Sequence, residues 1–228
     1  MLKNTIVNRG VIKKIAVALG DLNERVMYVG GAVVSLYIND PGADDVRPTK
    51  DIDISLEIAS LGELEALRQK LNSKGFIQSA EDNIICRFRY DDVKIDVMST
   101  KAIGWAPANP WFAPGFLRKQ QQQVENENIL ILALPYFLAS KFTAFNDRGA
   151  KDPRSSHDFE DIVYILDNRK NLTEIVQAPK DVRKYLYSEF SGILNDGVKQ
   201  EAILGNLFYE TREARFKTII ESLTLLVR

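Results

Sequence analysis

The chain has 228 residues, 45% of them hydrophobic, and a formal net charge of −1. That is room for one large or two small globular domains, without the basic excess that grips duplex nucleic acid non-specifically. One cysteine, Cys86, excludes an internal disulfide and fits a reducing cytoplasm, and one histidine, His157, excludes zinc sites built from several His and Cys ligands.

The opening MLKNTIVNRGVIKK lacks the apolar core of a secretion signal, and no apolar run approaches the roughly 18 residues of a membrane helix. Ile12, Ile15, Ala16, Leu19 and Leu22 recur at helical spacing and predict a first amphipathic helix. Val26–Val29 predicts a short strand that runs into Gly30-Gly31 and then a helix through about Tyr37. Asn39–Pro48 has the proline and glycine content of a loop. Over Lys50–Ile58, Ile52, Ile54 and Leu56 alternate with Asp51, Asp53 and Ser55, as in a half-buried strand with an acidic outer face. Leu61, Leu64, Leu67 and Leu71 predict a second helix. Ile84–Tyr90 and Val93–Met98 predict two strands joined at Asp91-Asp92, with Asp96 on the face opposite Val93, Ile95 and Val97.

Cys86, at an inward strand position, is expected in the core. Gly104–Gly115 reads as irregular, its Trp105, Trp111 and Phe112 packing under their own loop or stacking a nucleobase. Gln120–Gln123 is too short to matter as a low-complexity segment. Ile129–Ala133 reads as a final short strand, and from Pro135 onward the apolar pattern is helical. The expected architecture is α/β (α+β): a small mixed sheet over residues 1–134, followed by a C-terminal helical bundle over 135–228.

Three carboxylates carry the chemistry. Asp51 and Asp53 are two apart on a strand and project from one face, and Asp96 joins them from a neighbouring strand. Two such charges about 4 Å apart repel by ~4 kcal/mol at an effective dielectric near 20. A divalent cation between them turns that repulsion into a binding site, and phosphate oxygens and waters complete the shell of Mg²⁺. Gly30-Gly31 fits the same picture, because glycine lets a backbone approach a phosphate and a helix start points its N–H groups at an anion. The competing reading of each feature alone is an ordinary glycine turn and a solvent-facing strand. Their order, glycine turn, D-x-D strand, then a single Asp strand, points to metal-dependent phosphoryl chemistry. Phosphate-binding P-loop, dinucleotide and kinase motifs are absent from the sequence.

On Gly30, Gly31, Asp51, Asp53 and Asp96, with a longer gap between Gly31 and Asp51 than usual, the chain resembles the DNA polymerase β-like nucleotidyltransferases. LASKFTAFNDRG (Leu138–Gly149) followed by SHDFEDIVYIL (Ser156–Leu166) is similar to the AbiEii/AbiGii-type toxin group, over roughly residues 25–168. That resemblance puts Lys141 in the position of a helix lysine, Arg148 in that of an arginine, and Asp158 and Asp161 in those of paired acids. His157 stands where a lysine is common. Lys141 and Arg148 are seven apart on one helix face, suited to a triphosphate as point charge and fork, or to a solvated surface. Asp158 and Asp161 suit helix capping after Ser155 or Ser156 as well as orienting Lys141 or Arg148.

The resemblance implies a cytoplasmic, Mg²⁺-dependent, ATP- or other NTP-using enzyme that moves a nucleoside monophosphate to an acceptor hydroxyl. Asp51, Asp53 and Asp96 would be metal ligands, with Asp96 also the base. Gly30 and Gly31 would cradle phosphate, and Lys141 would meet the triphosphate with Arg148. It further implies a toxin of a toxin–antitoxin pair, with RNA such as a tRNA 3′ end as acceptor and an antitoxin protein as partner. A small-molecule acceptor, as in antibiotic-modifying enzymes, is the alternative. A nucleotide-binding regulatory module without turnover is the rival from another class.

Overall fold

The structure, a computed structural model, describes residues 2–49 and 51–227. Lys50, the expected first residue of the acidic strand, lies outside the described residues, as do Met1 and Arg228 at the ends of the two expected domains. The chain divides into two compact units, Met1–Leu36 with Asp45–Ala133, and Tyr37–Asp44 with Leu134–Arg228.

The first unit is a sheet with helices. Its strands are β1 (Met27–Val29), β2 (Asp51–Leu56), β3 (Arg87–Tyr90), β4 (Val93–Ser99), β5 (Gln120–Val124) and β6 (Glu127–Ile131). Among the described residues they form one mixed sheet in the order β3-β4-β2-β1-β6-β5. β2 runs parallel to β4 and β1 parallel to β6, while β1–β2, β3–β4 and β5–β6 are antiparallel. The parallel pairing of β2 with β4 needs a crossover, which contains helix α2 (Leu61–Ser73), started by Ser60 accepting from the Glu63 N–H. Ile52, Ile54, Ile95 and Val97 bury one sheet face, joined by Ile12, Ile15 and Leu19 of helix α1 (Lys3–Leu19) and by Leu64 and Leu71 of α2.

Several elements differ from the sequence expectation. The first helix begins earlier than its apolar repeat, and its expected end, with Leu22, lies in a 3₁₀ segment, Gly20–Arg25. The helix after the glycine turn is likewise a 3₁₀ segment, Gly31–Leu36. Its i→i+3 bonds give a short, tight coil rather than an extended α-helix dipole. β5 has no counterpart among the expected strands. Its glutamines have no apolar alternation because it is the sheet's exposed edge, held by backbone pairing to β6. β3 is shorter than Ile84–Tyr90, and Ile84 and Ile85 are exposed. Cys86 is buried as expected, and burial pushes its thiol up to about 11, with the Asp96 charge adding to the effect. Trp105 is buried beside Phe88 of β3, its indole N–H donating to Glu65, and the short helix α3 (Phe112–Phe116) lies further along the chain.

The second unit is helical: α4 (Leu134–Ala144), α5 (His157–Asn168), α6 (Thr173–Val176), α7 (Lys180–Leu194), α8 (Gly197–Asn206) and α9 (Arg212–Val227). Phe137, Phe142, Phe145, Phe159, Phe190, Ile193, Ile203 and Leu223 fill its core. Tyr37–Asp44 belongs here by packing. Tyr37 stacks on Phe137 at 4.1 Å, Asn39 and Asp40 donate their backbone N–H groups to the Asn168 carbonyl, and Tyr164 donates to the Asp44 carbonyl.

Candidate active site

In the first unit the β register brings the expected acids together. Asp53 on β2 lies directly across from Asp96 on β4, and Asp51, two residues back, shares the face of Asp53. On its other side Asp96 lies across from Arg87 of β3. Sequence reasoning does not single out Arg87, since a lone arginine in a strand carries no signal until the register sets it opposite an acid. Its Nε and one terminal nitrogen each donate to Asp96 at 2.7 Å, and the same terminal nitrogen donates to Asp51 at 3.2 Å. The hydrogen bonds to Asp96 foremost, and the charges of Asp96 and Asp51, hold the guanidinium firmly protonated.

The glycine turn closes on this face. Val29 of β1 pairs with Asp53, so the turn after β1 starts beside that carboxylate. Gly30 has φ +76°, and a Cβ there would lie 1.8 Å from Asp53 Oδ2. A Cβ on Gly31 would lie 2.4 Å from a terminal nitrogen of Arg47 and 3.2 Å from the Thr49 hydroxyl. Gly30 thus needs to be glycine for handedness and for room, while Gly31 lets the Arg47 side chain lie close. The turn thereby sets a guanidinium, Arg47, beside the backbone. Sequence reasoning misses Arg47 because it sits in the loop-like Asn39–Pro48 segment.

In the second unit Lys141, Arg148, Asp158 and Asp161 form one cluster. α4 continues into a π-helical turn, Phe145–Gly149, that carries Arg148. A Cβ on Gly149 would lie 2.3 Å from the Ser156 hydroxyl, so glycine lets the turn close on the start of α5. Ser156 caps α5 by accepting from the Phe159 N–H, which leaves the carboxylates of Asp158 and Asp161 to other partners. Lys141 Nζ donates to Asp158 at 3.1 Å and to Asp161 at 2.6 Å, with all three side chains buried. Arg148 donates to Asp158 at 2.8 and 3.2 Å, and its side chain is 71% exposed. Burial pushes the Asp158 carboxyl up, but Lys141 and Arg148 outweigh it and hold it below the usual range. His157 is exposed and meets Glu160 one turn on, at 3.1 Å.

Among the described residues no three His, Cys, Asp or Glu side chains stand gathered around one cation position. The donor type nevertheless fits: hard carboxylate oxygens on one strand face are what Mg²⁺ takes. Two of the three carboxylates already share a stand-in cation, the Arg87 guanidinium. The donor chemistry of this face therefore suits a divalent ion, while its oxygens are engaged by Arg87.

Comparison with known proteins identifies the class. The sequence matches the family described as "Nucleotidyl transferase AbiEii toxin, Type IV TA system" over residues 18–225. That match spans nearly the whole chain, and the chain belongs to this family of nucleotidyltransferases. Among solved structures, it is similar to an antigenic nucleotidyltransferase-like protein from Paracoccidioides brasiliensis, with 17% identity, a TM-score of 0.49, and 86% and 91% of the two chains covered. It is also similar to the antibiotic-resistance factor ANT(2'')-Ia in solution, with 16% identity, a TM-score of 0.49, and 82% and 95% covered. No curated protein matches the sequence. Among the described residues no helix is long and apolar enough to cross a membrane.

Proposed function

We propose that the chain transfers a nucleoside monophosphate from an NTP to a hydroxyl of RNA, as the toxin of a toxin–antitoxin pair in the cytoplasm. The observation that carries this reading is the register of Asp53 against Asp96 beside the Gly30-Gly31 turn. Asp51, Asp53 and Asp96 would hold Mg²⁺, which when bound neutralises phosphate oxygens and eases deprotonation of the acceptor.

The chain's own residues supply the rest. Gly30 and Gly31 add no side chain of their own between the backbone and a phosphate, and the Asp53 carboxylate and the Arg47 guanidinium lie against them. Asp96 takes the acceptor proton on a carboxylate oxygen once it is released from Arg87. The family resemblance assigns Lys141 and Arg148 to the triphosphate, and within the second unit both cations are paired with carboxylates, Lys141 with Asp158 and Asp161 and Arg148 with Asp158. Asp158 and Asp161 hold Lys141 in one orientation, a positioning role that its two ion pairs support.

The acceptor reading has one competitor with an observation behind it. The net charge of −1, without a basic run, suits a small-molecule hydroxyl as well as a polyanion. Incubating wild type and Asp53→Asn with Mg²⁺, each α-labelled NTP and total RNA or a small-molecule extract decides both points. Label on RNA with wild type alone supports the full reading. Label on small molecules moves the acceptor. Turnover retained by Asp53→Asn overturns the assignment of the site.

A further inference from the structure

We propose that Arg87 is a built-in counter-cation that occupies the metal's place on the acidic face and must be displaced before a divalent ion can bind. The inference rests on the metal reading above and adds a competitor to it. Three carboxylates on one face need a positive charge, and Arg87 supplies one. Its two 2.7 Å bonds take both oxygens of Asp96, and its 3.2 Å bond takes Oδ2 of Asp51. The Arg87 side chain is only 13% exposed, so the contact is built into the sheet rather than lying loosely on it. β3 fixes it there, since Arg87 and Asp96 are register partners.

An ion bound at about 2.0–2.1 Å to those oxygens and a guanidinium donating to them would be two cations on one pair of carboxylates, which repel. Binding is therefore an exchange. The guanidinium has somewhere to go: Arg87 lines an open cavity of about 330 Å³ with Gln78, Asp82 and Asn83. Asp82 is anionic, held by Arg89 at 2.7 Å, and attracts the released charge. When only a fraction of molecules has the carboxylates released, the apparent metal affinity falls by that fraction. Removing Arg87 then tightens metal binding, whereas a purely structural ion pair would, when broken, loosen the site and weaken it.

The test is direct Mn²⁺ binding, read by the free-ion electron paramagnetic resonance signal without nucleotide. Wild type, Arg87→Gln, Arg87→Met, Lys94→Gln and Asp96→Asn would be compared, with circular dichroism and melting to confirm folding. Lys94 is the register partner of Asp51, so Lys94→Gln removes one charge from the same face without freeing a carboxylate. The expected result is about tenfold tighter binding in the two Arg87 variants, as for a release-competent fraction near one tenth, and a change within about twofold in Lys94→Gln. On the wild-type chain, which needs no mutation to fold, Mg²⁺ is expected to raise phenylglyoxal labelling of Arg87, read by peptide mass spectrometry. Mn²⁺ that binds wild type and is lost with Asp96→Asn, but binds the Arg87 variants no tighter, overturns the proposal alone. So does equal tightening in Lys94→Gln, or Arg87 labelling indifferent to Mg²⁺ that binds. Mn²⁺ held as tightly by Asp96→Asn as by wild type overturns the metal reading beneath it.

Discussion

Gly30 is the residue where backbone geometry and chemistry meet. Its φ of +76° is one that only glycine adopts without strain, and the space a Cβ would need is filled by the Asp53 carboxylate. Gly30→Ala is expected to cost about 1–2 kcal/mol in backbone strain and to push Asp53 off its position. Chemical denaturation should show a modest loss of stability, and label transfer should fall far more than that loss explains. A transfer rate that tracks only the folded fraction would mean that Asp53 is not held by the turn. Both residues are legible in the sequence, because glycine and alternating acid are local signals. Arg87 and Arg47 are not, since their meaning lies in what they face.

At the scale of elements, the break from α to π geometry at Phe145 and the Ser156 cap decide where the charges of the second unit end up. An extra residue in the turn rotates the positions beyond it, so the seven-residue spacing of Lys141 and Arg148 no longer means one α-helical face. Both nevertheless meet at Asp158. That pairing has a pH signature. A carboxylate whose folded pKa is depressed adds stability that is present above its unfolded pKa and is lost as pH falls through the folded value. Asp158 is depressed, so the helical unit is expected to lose stability as pH drops below about 4, the ordinary carboxylate value. Asp158→Asn should be less stable at neutral pH, because Lys141 loses one of its two buried carboxylates. Its melting temperature should also vary less with pH below that point. Parallel curves for variant and wild type would show that Asp158 contributes nothing to the acid sensitivity.

At the scale of the whole chain, the two units interleave in sequence: Tyr37–Asp44 packs with the helices, although sheet residues flank it on both sides in the chain. Tyr37 is the main anchor of that segment, 2% exposed and stacked on Phe137. Tyr37→Ala is expected to cost about 3–5 kcal/mol, as for truncation of a large buried aromatic. Hydrogen exchange should speed up first in α4 and α5 and leave the strands protected. Uniform acceleration across both units would show that they unfold together.

What the sequence determined by itself was whatever depends on neighbours within a few residues. The acidic alternation over Asp51–Ser55, the glycine pair, the hairpin around Asp91 and the helical periodicity after Pro135 are all set by local backbone preference and side-chain spacing. The family resemblance is legible on those same segments. The tertiary structure decided what depends on pairing between distant segments. The edge strand of glutamines exists because β6 supplies its hydrogen bonds. The membership of Tyr37–Asp44 comes from stacking on a phenylalanine about a hundred residues away, at Phe137. Arg87 becomes the counter-charge of Asp51 and Asp96 only when β2, β4 and β3 lie side by side in one register. Electrostatic partnership depends on distance in space, and spacing along the chain reveals it only when the partners share an element.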